Sequence, residues 1–214
     1  MTTAVAPYFS TTGTDFDGWT GTGPDLDGGD LIQAHLAGDE SAFTRLDRLY
    51  RPRLLNFITR MVQDRGRAEE LVQETFLRVF RHGHRYDPSR KFSTWIYTIA
   101  GNLARNDLRR RRRSPIVTTE AISRTGEVAD WADLAEDPAP RPDEAQVSRS
   151  MMELVQKTVA RLSPIHREVF VLRELEDKTY EEIAELVGCD LGTVKSRLNR
   201  ARRAFAQMIA PYLD

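Results

Sequence analysis

The residues best suited to chemistry in this chain are cations and hydrogen-bond donors. Lys195, Ser196, Asn199, Arg200 and Arg203 recur at steps of one and three. On a helix that turns about 100° per residue, that spacing gathers them on one face. Cations there neutralise phosphates, and Ser, Asn and Arg can also reach base edges in a major groove. A second donor set combines a turn-rich loop carrying Tyr86, Arg90 and Lys91 with the run Asn102, Arg105, Asn106, Arg109 and Arg110. A charged track beside amides and an aromatic ring is the chemistry of single-stranded nucleic acid, whose splayed bases need both. A third set has the opposite character: Glu70, Gln73 and Glu74 share a helix face, and acids with an amide suit a protein surface better than DNA. Nothing resembles a glycine-rich phosphate loop, a serine elbow or a catalytic carboxylate pair, so no catalytic residue and no cofactor is expected. His82 and His84 lack the companion ligands a metal needs. Cys189 is the single cysteine, which excludes an internal disulfide and a cysteine-built zinc site.

The elements that must position these groups read as helices. Residues 179–203 form a helix, a turn at Gly188 and a second helix. Ala184 is small where the two helices cross, and Asp190 is placed to cap the second. Val194, Leu198, Ala201, Phe205 and Met208 make that helix's core stripe, with Arg197 and Arg202 at its borders. Ahead of it, Met152, Val155, Val159 and Leu162 mark one helix, and Pro164 starts another carrying Val169, Phe170 and Leu172. In the first half, Leu31, Leu36, Phe43, Leu46, Leu49, Leu54, Phe57, Ile58 and Met61 recur at helical spacing, with a break at Gly38 and Asp39. Ala68, Leu71, Val72, Thr75, Phe76, Val79 and Phe80 form a second apolar stripe. Phe92, Trp95, Ile96, Ile99, Leu103 and Leu108 form a third, ending in five arginines at 109–113, and Trp95 is expected to pack in the core.

The expected class is therefore all-α, with two small helical domains at 30–113 and 149–214. Residues 1–29 read as a disordered acidic extension and 114–148, with three prolines near its end, as an acidic linker. A net charge of -1 conceals the pattern. The extension carries four acids and no base, and the first body has 18 basic against 10 acidic residues. The linker has two against eight and the second body 11 against 10. Local fields rather than the total steer a polyanion. No run is long and apolar enough for a membrane span, and no signal peptide is evident, so a cytoplasmic protein without membrane insertion is expected.

Two motifs resemble one family. LSPIHREVFVLRELEDKTYEEIAELVGCDLGTVKSRLNRAR looks like the promoter-binding C-terminal domain of bacterial extracytoplasmic-function sigma factors. AEELVQETFLRVFR followed by KFSTWIYTIAGNLARNDLRRRRR looks like their N-terminal domain. The resemblance implies a sigma-2-like bundle, a sigma-4-like helix-turn-helix bundle and a dissociable subunit of RNA polymerase. Glu70, Gln73 and Glu74 would meet the clamp helices of the largest polymerase subunit, and the second-largest subunit would contribute its flap. Tyr86, Arg90, Lys91, Asn102, Arg105, Asn106, Arg109 and Arg110 would recognise and hold open the -10 element of promoter DNA. Lys195, Ser196, Asn199, Arg200 and Arg203 would read the -35 duplex, with Arg173 reaching in and Thr179 and Tyr180 at phosphates. An anti-sigma factor is a further implied partner. The chain departs from the family's usual pattern at Asn106, where Asp is common, and at Asp177 and Lys178, which replace a glycine and an apolar residue. The competing reading is a two-domain helix-turn-helix regulator independent of the polymerase, which would need a symmetric operator and a dimer surface.

Overall fold

Two long helices of the first body begin at an aspartate that satisfies a free amide. In a computed structural model describing residues 28–113 and 142–212, Asp39 accepts from the Ser41 amide at 2.9 Å and starts α2, Glu40–Val62. Asp64 accepts from the Arg67 amide at 2.9 Å and starts α3, Arg65–His82. Between these caps, Gln63 at φ 59° turns the chain back on itself. Before them, α1 spans Gly28–Leu36. Its first residue must be small, because a Cβ on Gly28 would lie 2.4 Å from Phe92 Cδ1. A 3-10 turn at Gly83–Arg85 leads through the loop into α4, Phe92–Arg113.

The second body holds α5, Pro142–Arg161, and α6, Pro164–Glu174. It ends with α7, Tyr180–Val187, and α8, Leu191–Ile209, followed by a 3-10 turn at Ala210–Tyr212. Helix α5 begins inside the stretch expected as linker, because a proline suits the first helical turn, where no amide partner is lost. The expected acidic extension up to residue 27 and the linker at 114–141 lie outside the described residues.

Among the described residues the secondary structure is helical throughout, in two bundles. The first packs Ile32, Leu46, Leu54, Phe57, Ile58, Met61, Phe92 and Ile96, each fully buried. The second packs Val169, Phe170, Ile183, Val194, Leu198 and Phe205. Its Phe170 and Phe205 rings stack at 4.9 Å, so truncating either would cost about 3–5 kcal/mol. Leu36, expected on the core stripe, is instead 45% exposed at the end of α1, one residue before the chain leaves the helix. No helix of the described residues is long and apolar enough to cross a membrane.

Candidate nucleic-acid interfaces

Helix α8 is oriented by its neighbours. Thr179 and Glu182 form a reciprocal capping box at the start of α7: the Thr179 amide donates to Glu182 Oε2 at 2.8 Å and the Glu182 amide donates to Thr179 Oγ1 at 3.2 Å. Gly188, at φ 70°, ends α7 in the left-handed conformation and makes the turn. Asp190 then accepts from the Thr193 amide at 2.8 Å to start α8. Val194, Leu198, Ala201 and Phe205 are buried, so Lys195, Ser196, Asn199, Arg200 and Arg203 are held outward together. The bordering arginines behave differently. Arg202 pairs with Glu174 at 2.6 Å, and the half-buried Arg197 lies with Nη1 4.0 Å from Cys189 Sγ. Arg173 braces the turn, donating to the Lys178 carbonyl at 3.0 Å with its guanidinium 5.3 Å above the Tyr180 ring. Asp177 in that turn has φ 49°, a backbone state that suits glycine and is tolerated by Asp. Behind the exposed face, burial first and then the Arg200 and Arg197 charges hold His166 below its usual pKa.

The second donor set divides. Tyr86 is only 6% exposed: its ring lies 5.3 Å from Phe92 and 5.5 Å from Trp95, and its hydroxyl donates to the Arg90 carbonyl at 2.6 Å. It is a strut that shapes the loop. Asn102, Asn106, Arg109 and Arg110 stand exposed along α4. Arg105 donates to Asn102 Oδ1 at 2.6 Å and Arg109 to Asn106 Oδ1 at 3.2 Å, which engages both amide oxygens and leaves the amide NH2 groups as the outward donors. The basic end of α4 is tied down by the buried Asp107. Its Oδ1 accepts from Arg67 at 2.8 Å and Arg110 at 3.0 Å, while Arg111 Nε lies 2.8 Å from Oδ2, off the hydrogen-bond line.

The C-terminal body sits directly against this surface. Arg90 pairs with Glu185 at 2.8 Å, Lys91 with Glu182 at 2.8 Å, and Arg105 with Glu168. Below these pairs, the Tyr97 hydroxyl donates to Glu176 at 2.6 Å, and Lys178 Nζ lies 4.8 Å over the Tyr97 ring. Burial raises the Glu176 and Glu168 pKa values against the pull of their partners. The buried Arg167 joins the bodies, donating to the Met61 carbonyl at 2.7 Å and to the carbonyls of Leu162, at 3.0 Å, and Ala160. Beside these contacts runs a cleft of about 490 Å³, lined by Arg105, Arg109, Arg112 and Arg113 on one side and by Pro164 and Ile165 on the other.

The third set is an exposed face of α3. Glu70 and Gln73 are exposed, and Glu74 is held by Arg78 at 2.8 Å. Leu77 and Phe80 share this face and are 48% and 56% exposed. Phe80 therefore leaves the core stripe expected from the sequence. One flank meets Phe43 at 5.4 Å and His35 at 5.2 Å, and among the described residues no helix covers the other. The sequence reading missed Leu77. Its signal was available, because steps of three and four from Glu70 and Gln73 reach both Leu77 and Phe80.

Comparison with known proteins follows the same division. The family description "Sigma-70 region 2" matches residues 46–114, and "Sigma-70, region 4" matches 152–205. The RNA polymerase sigma-H factor of Pseudomonas aeruginosa is 32% identical over 183 residues, covering 86% of this chain and 94% of that protein. The ECF RNA polymerase sigma-E factor of Escherichia coli is 32% identical over 184 residues, covering 86% and 94%. Among solved structures, the sigma factor RpoE in complex with the anti-sigma factor NepR from Bartonella quintana superposes with a TM-score of 0.60 at 26% identity, covering 78% of this chain and 96% of that one. With one sigma-70 region on each helical body and near full-length relatives of the same kind, the chain belongs to the extracytoplasmic-function sigma factors of the sigma-70 family, RNA polymerase subunits that act in transcription initiation.

Proposed function

We propose that this sigma factor grips promoter DNA at two points and core polymerase at a third. The -35 duplex takes α8 in its major groove, read by Lys195, Ser196, Asn199, Arg200 and Arg203, with Thr179 and Tyr180 at the backbone. Arg173 acts through the turn that it braces. The observation that carries this reading is the split of α8, five donors outward over a stripe of five buried apolar residues, Val194, Leu198, Ala201, Phe205 and Ile209.

The -10 strand is held by Asn102, Arg105, Asn106, Arg109 and Arg110 along α4, with Arg90 and Lys91 at the loop. Tyr86 positions that loop from within the core. The amide NH2 groups of Asn102 and Asn106 supply base-edge donors, and the arginines neutralise phosphates. Binding the unpaired strand better than the duplex favours melting without any covalent step. Glu70, Gln73 and Glu74, followed one and two turns on by the exposed Leu77 and Phe80, form the polymerase-docking face: a polar end and an apolar end on one side of α3, fitting the clamp helices. The remaining boundaries follow as domains at 30–113 and 149–214, with the second body's first helix reaching back to Pro142. An anti-sigma factor is a further partner, supported by the relative solved with NepR. The protein works in the cytoplasm, at the nucleoid.

The test is permanganate footprinting of unpaired thymines in a complex of core polymerase, this chain and promoter DNA. Asn102→Ala lowers thymine reactivity at the -10 region while leaving -35 duplex binding intact. Unchanged reactivity removes Asn102 from the site, and absence of any footprint with the native chain refutes the melting role.

A further inference from the structure

The cleft of about 490 Å³ beside α4 and α6 has a lining of two unlike kinds. On α4, Arg105, Arg109 and Arg112 follow at steps of four and three with Arg113 beside them, so four guanidiniums line about 12 Å of helix. Only Arg105 meets a carboxylate there, that of Glu168, while Arg109 donates to the Asn106 amide. Arg112 and Arg113 are exposed and have no ion-pair partner among the described residues. The remaining lining is apolar, formed by Met61, Leu108, Pro164 and Ile165, and Ile165 is 54% exposed. The first turn of α6 belongs to this lining, and Ser163 at its N-cap makes no capping bond, so the positive end of that helix adds to the same field.

Charge and apolar surface together select the ligand. Guanidiniums without carboxylates suit phosphate groups, which they bind through two parallel hydrogen bonds. An inorganic anion would use these cations alone, whereas a ligand that also carries a base and sugar would remove the apolar lining from water. The volume falls in the range of about 300–1,000 Å³ typical of small-ligand sites and is too small for a nucleic-acid duplex. We infer that the cleft is a binding site for a nucleoside polyphosphate, with the phosphates on Arg109, Arg112 and Arg113 and the base against Met61, Leu108 and Ile165. Glu168 sets the direction, because its carboxylate beside Arg105 repels phosphate from that end. Arg105 and Arg109 also belong to the -10 surface proposed above, so a bound nucleotide competes with the single strand for them. That consequence rests on the -10 assignment; the site itself does not.

The test is isothermal titration calorimetry on the full chain, without DNA or polymerase, with ATP, GTP, adenosine and inorganic triphosphate as probes. At least one of the two nucleotides should bind with single-site stoichiometry, about tenfold tighter than triphosphate, and adenosine should give no heat. Arg112→Ala/Arg113→Ala should weaken nucleotide and triphosphate alike by about ten- to a hundredfold. Ile165→Ala should weaken the nucleotide by about three- to tenfold and leave triphosphate unchanged. Arg81→Ala/Arg85→Ala removes the same charge from positions outside the cleft and should change neither. All five substituted side chains are exposed, so each variant should melt as the native chain does. Absence of heat with both nucleotides overturns the site. Triphosphate binding as tightly as either nucleotide overturns the apolar half and with it the nucleotide assignment. Equal weakening by the Arg81 and Arg85 substitutions overturns the cleft as the location. None of these results bears on the sigma-factor reading, which promoter-dependent initiation with core polymerase tests separately.

Discussion

Arg200 and Arg202 stand two residues apart on α8 and should behave oppositely when truncated. Arg200 is exposed on the donor face and has no ion-pair partner among the described residues. Arg202 turns to the side and is held by Glu174 at 2.6 Å, with side-chain exposures of 48% and 16%. Arg200→Ala removes one of three cations on the face, beside Lys195 and Arg203. If each meets one phosphate, the slope of log affinity against log salt should fall by about 0.9 for one lost contact. If Arg200 also reads a base edge, the loss amounts to about 1–3 kcal/mol, or roughly 5- to 150-fold. Folding stability should change by less than about 0.5 kcal/mol, because no buried contact is lost. Arg202→Ala should cost about 0.2–1 kcal/mol of stability through its partly exposed pair and leave the salt slope unchanged. The assay is fluorescence anisotropy with a -35 duplex across a salt series, paired with chemical denaturation of both variants. An unchanged slope for Arg200→Ala, or a reduced slope for Arg202→Ala, would refute the assignment of the exposed face as the DNA face.

Other outcomes follow from packing and charge. Gly188→Ala meets no atom within 4 Å, so its cost is the left-handed backbone alone, about 1 kcal/mol, seen as a drop of a few degrees in thermal melting. His166 has a folded pKa held below 6.5, so the unfolded chain binds its proton more readily. Its contribution to stability is therefore full above 6.5 and is lost as pH falls through the folded value. Denaturation at about pH 5.5 and 7.5 should show a smaller difference in His166→Gln than in the native chain. Leu77→Ala and Phe80→Ala should each weaken binding to core polymerase by about tenfold in a pull-down titration, while changing stability by no more than about 1 kcal/mol.

What was legible in the sequence was what local periodicity encodes. The donor face of α8 could be read because Val194, Leu198, Ala201 and Phe205 fix the buried side, and everything a half-turn away must face water. The capping role of Asp190 and the turn at Gly188 were also local signals, as was the packing of Trp95 against Tyr86 and Phe92. Tyr86 was misleading because its loop is polar, and only the fold brings Phe92 and Trp95 over its ring. Phe80 was misleading in the opposite way: an aromatic at core spacing is buried only if some helix is long enough to cover it. The pairing of Arg90, Lys91 and Arg105 could not be read at all, because their partners lie 95, 91 and 63 residues away along the chain. Periodicity shows which face of a helix is polar but carries no information about which distant helix neutralises it.

As a sigma factor, this chain directs core polymerase to promoters. The most direct measurement is in vitro transcription of fragmented linear genomic DNA by core polymerase with and without the chain, with the 5′ ends of the transcripts sequenced. The expected result is a set of chain-dependent start sites preceded by one shared pair of motifs at the -35 and -10 positions, lost with Arg200→Ala and with Asn102→Ala. Transcript ends indistinguishable from those of core polymerase alone would contradict it.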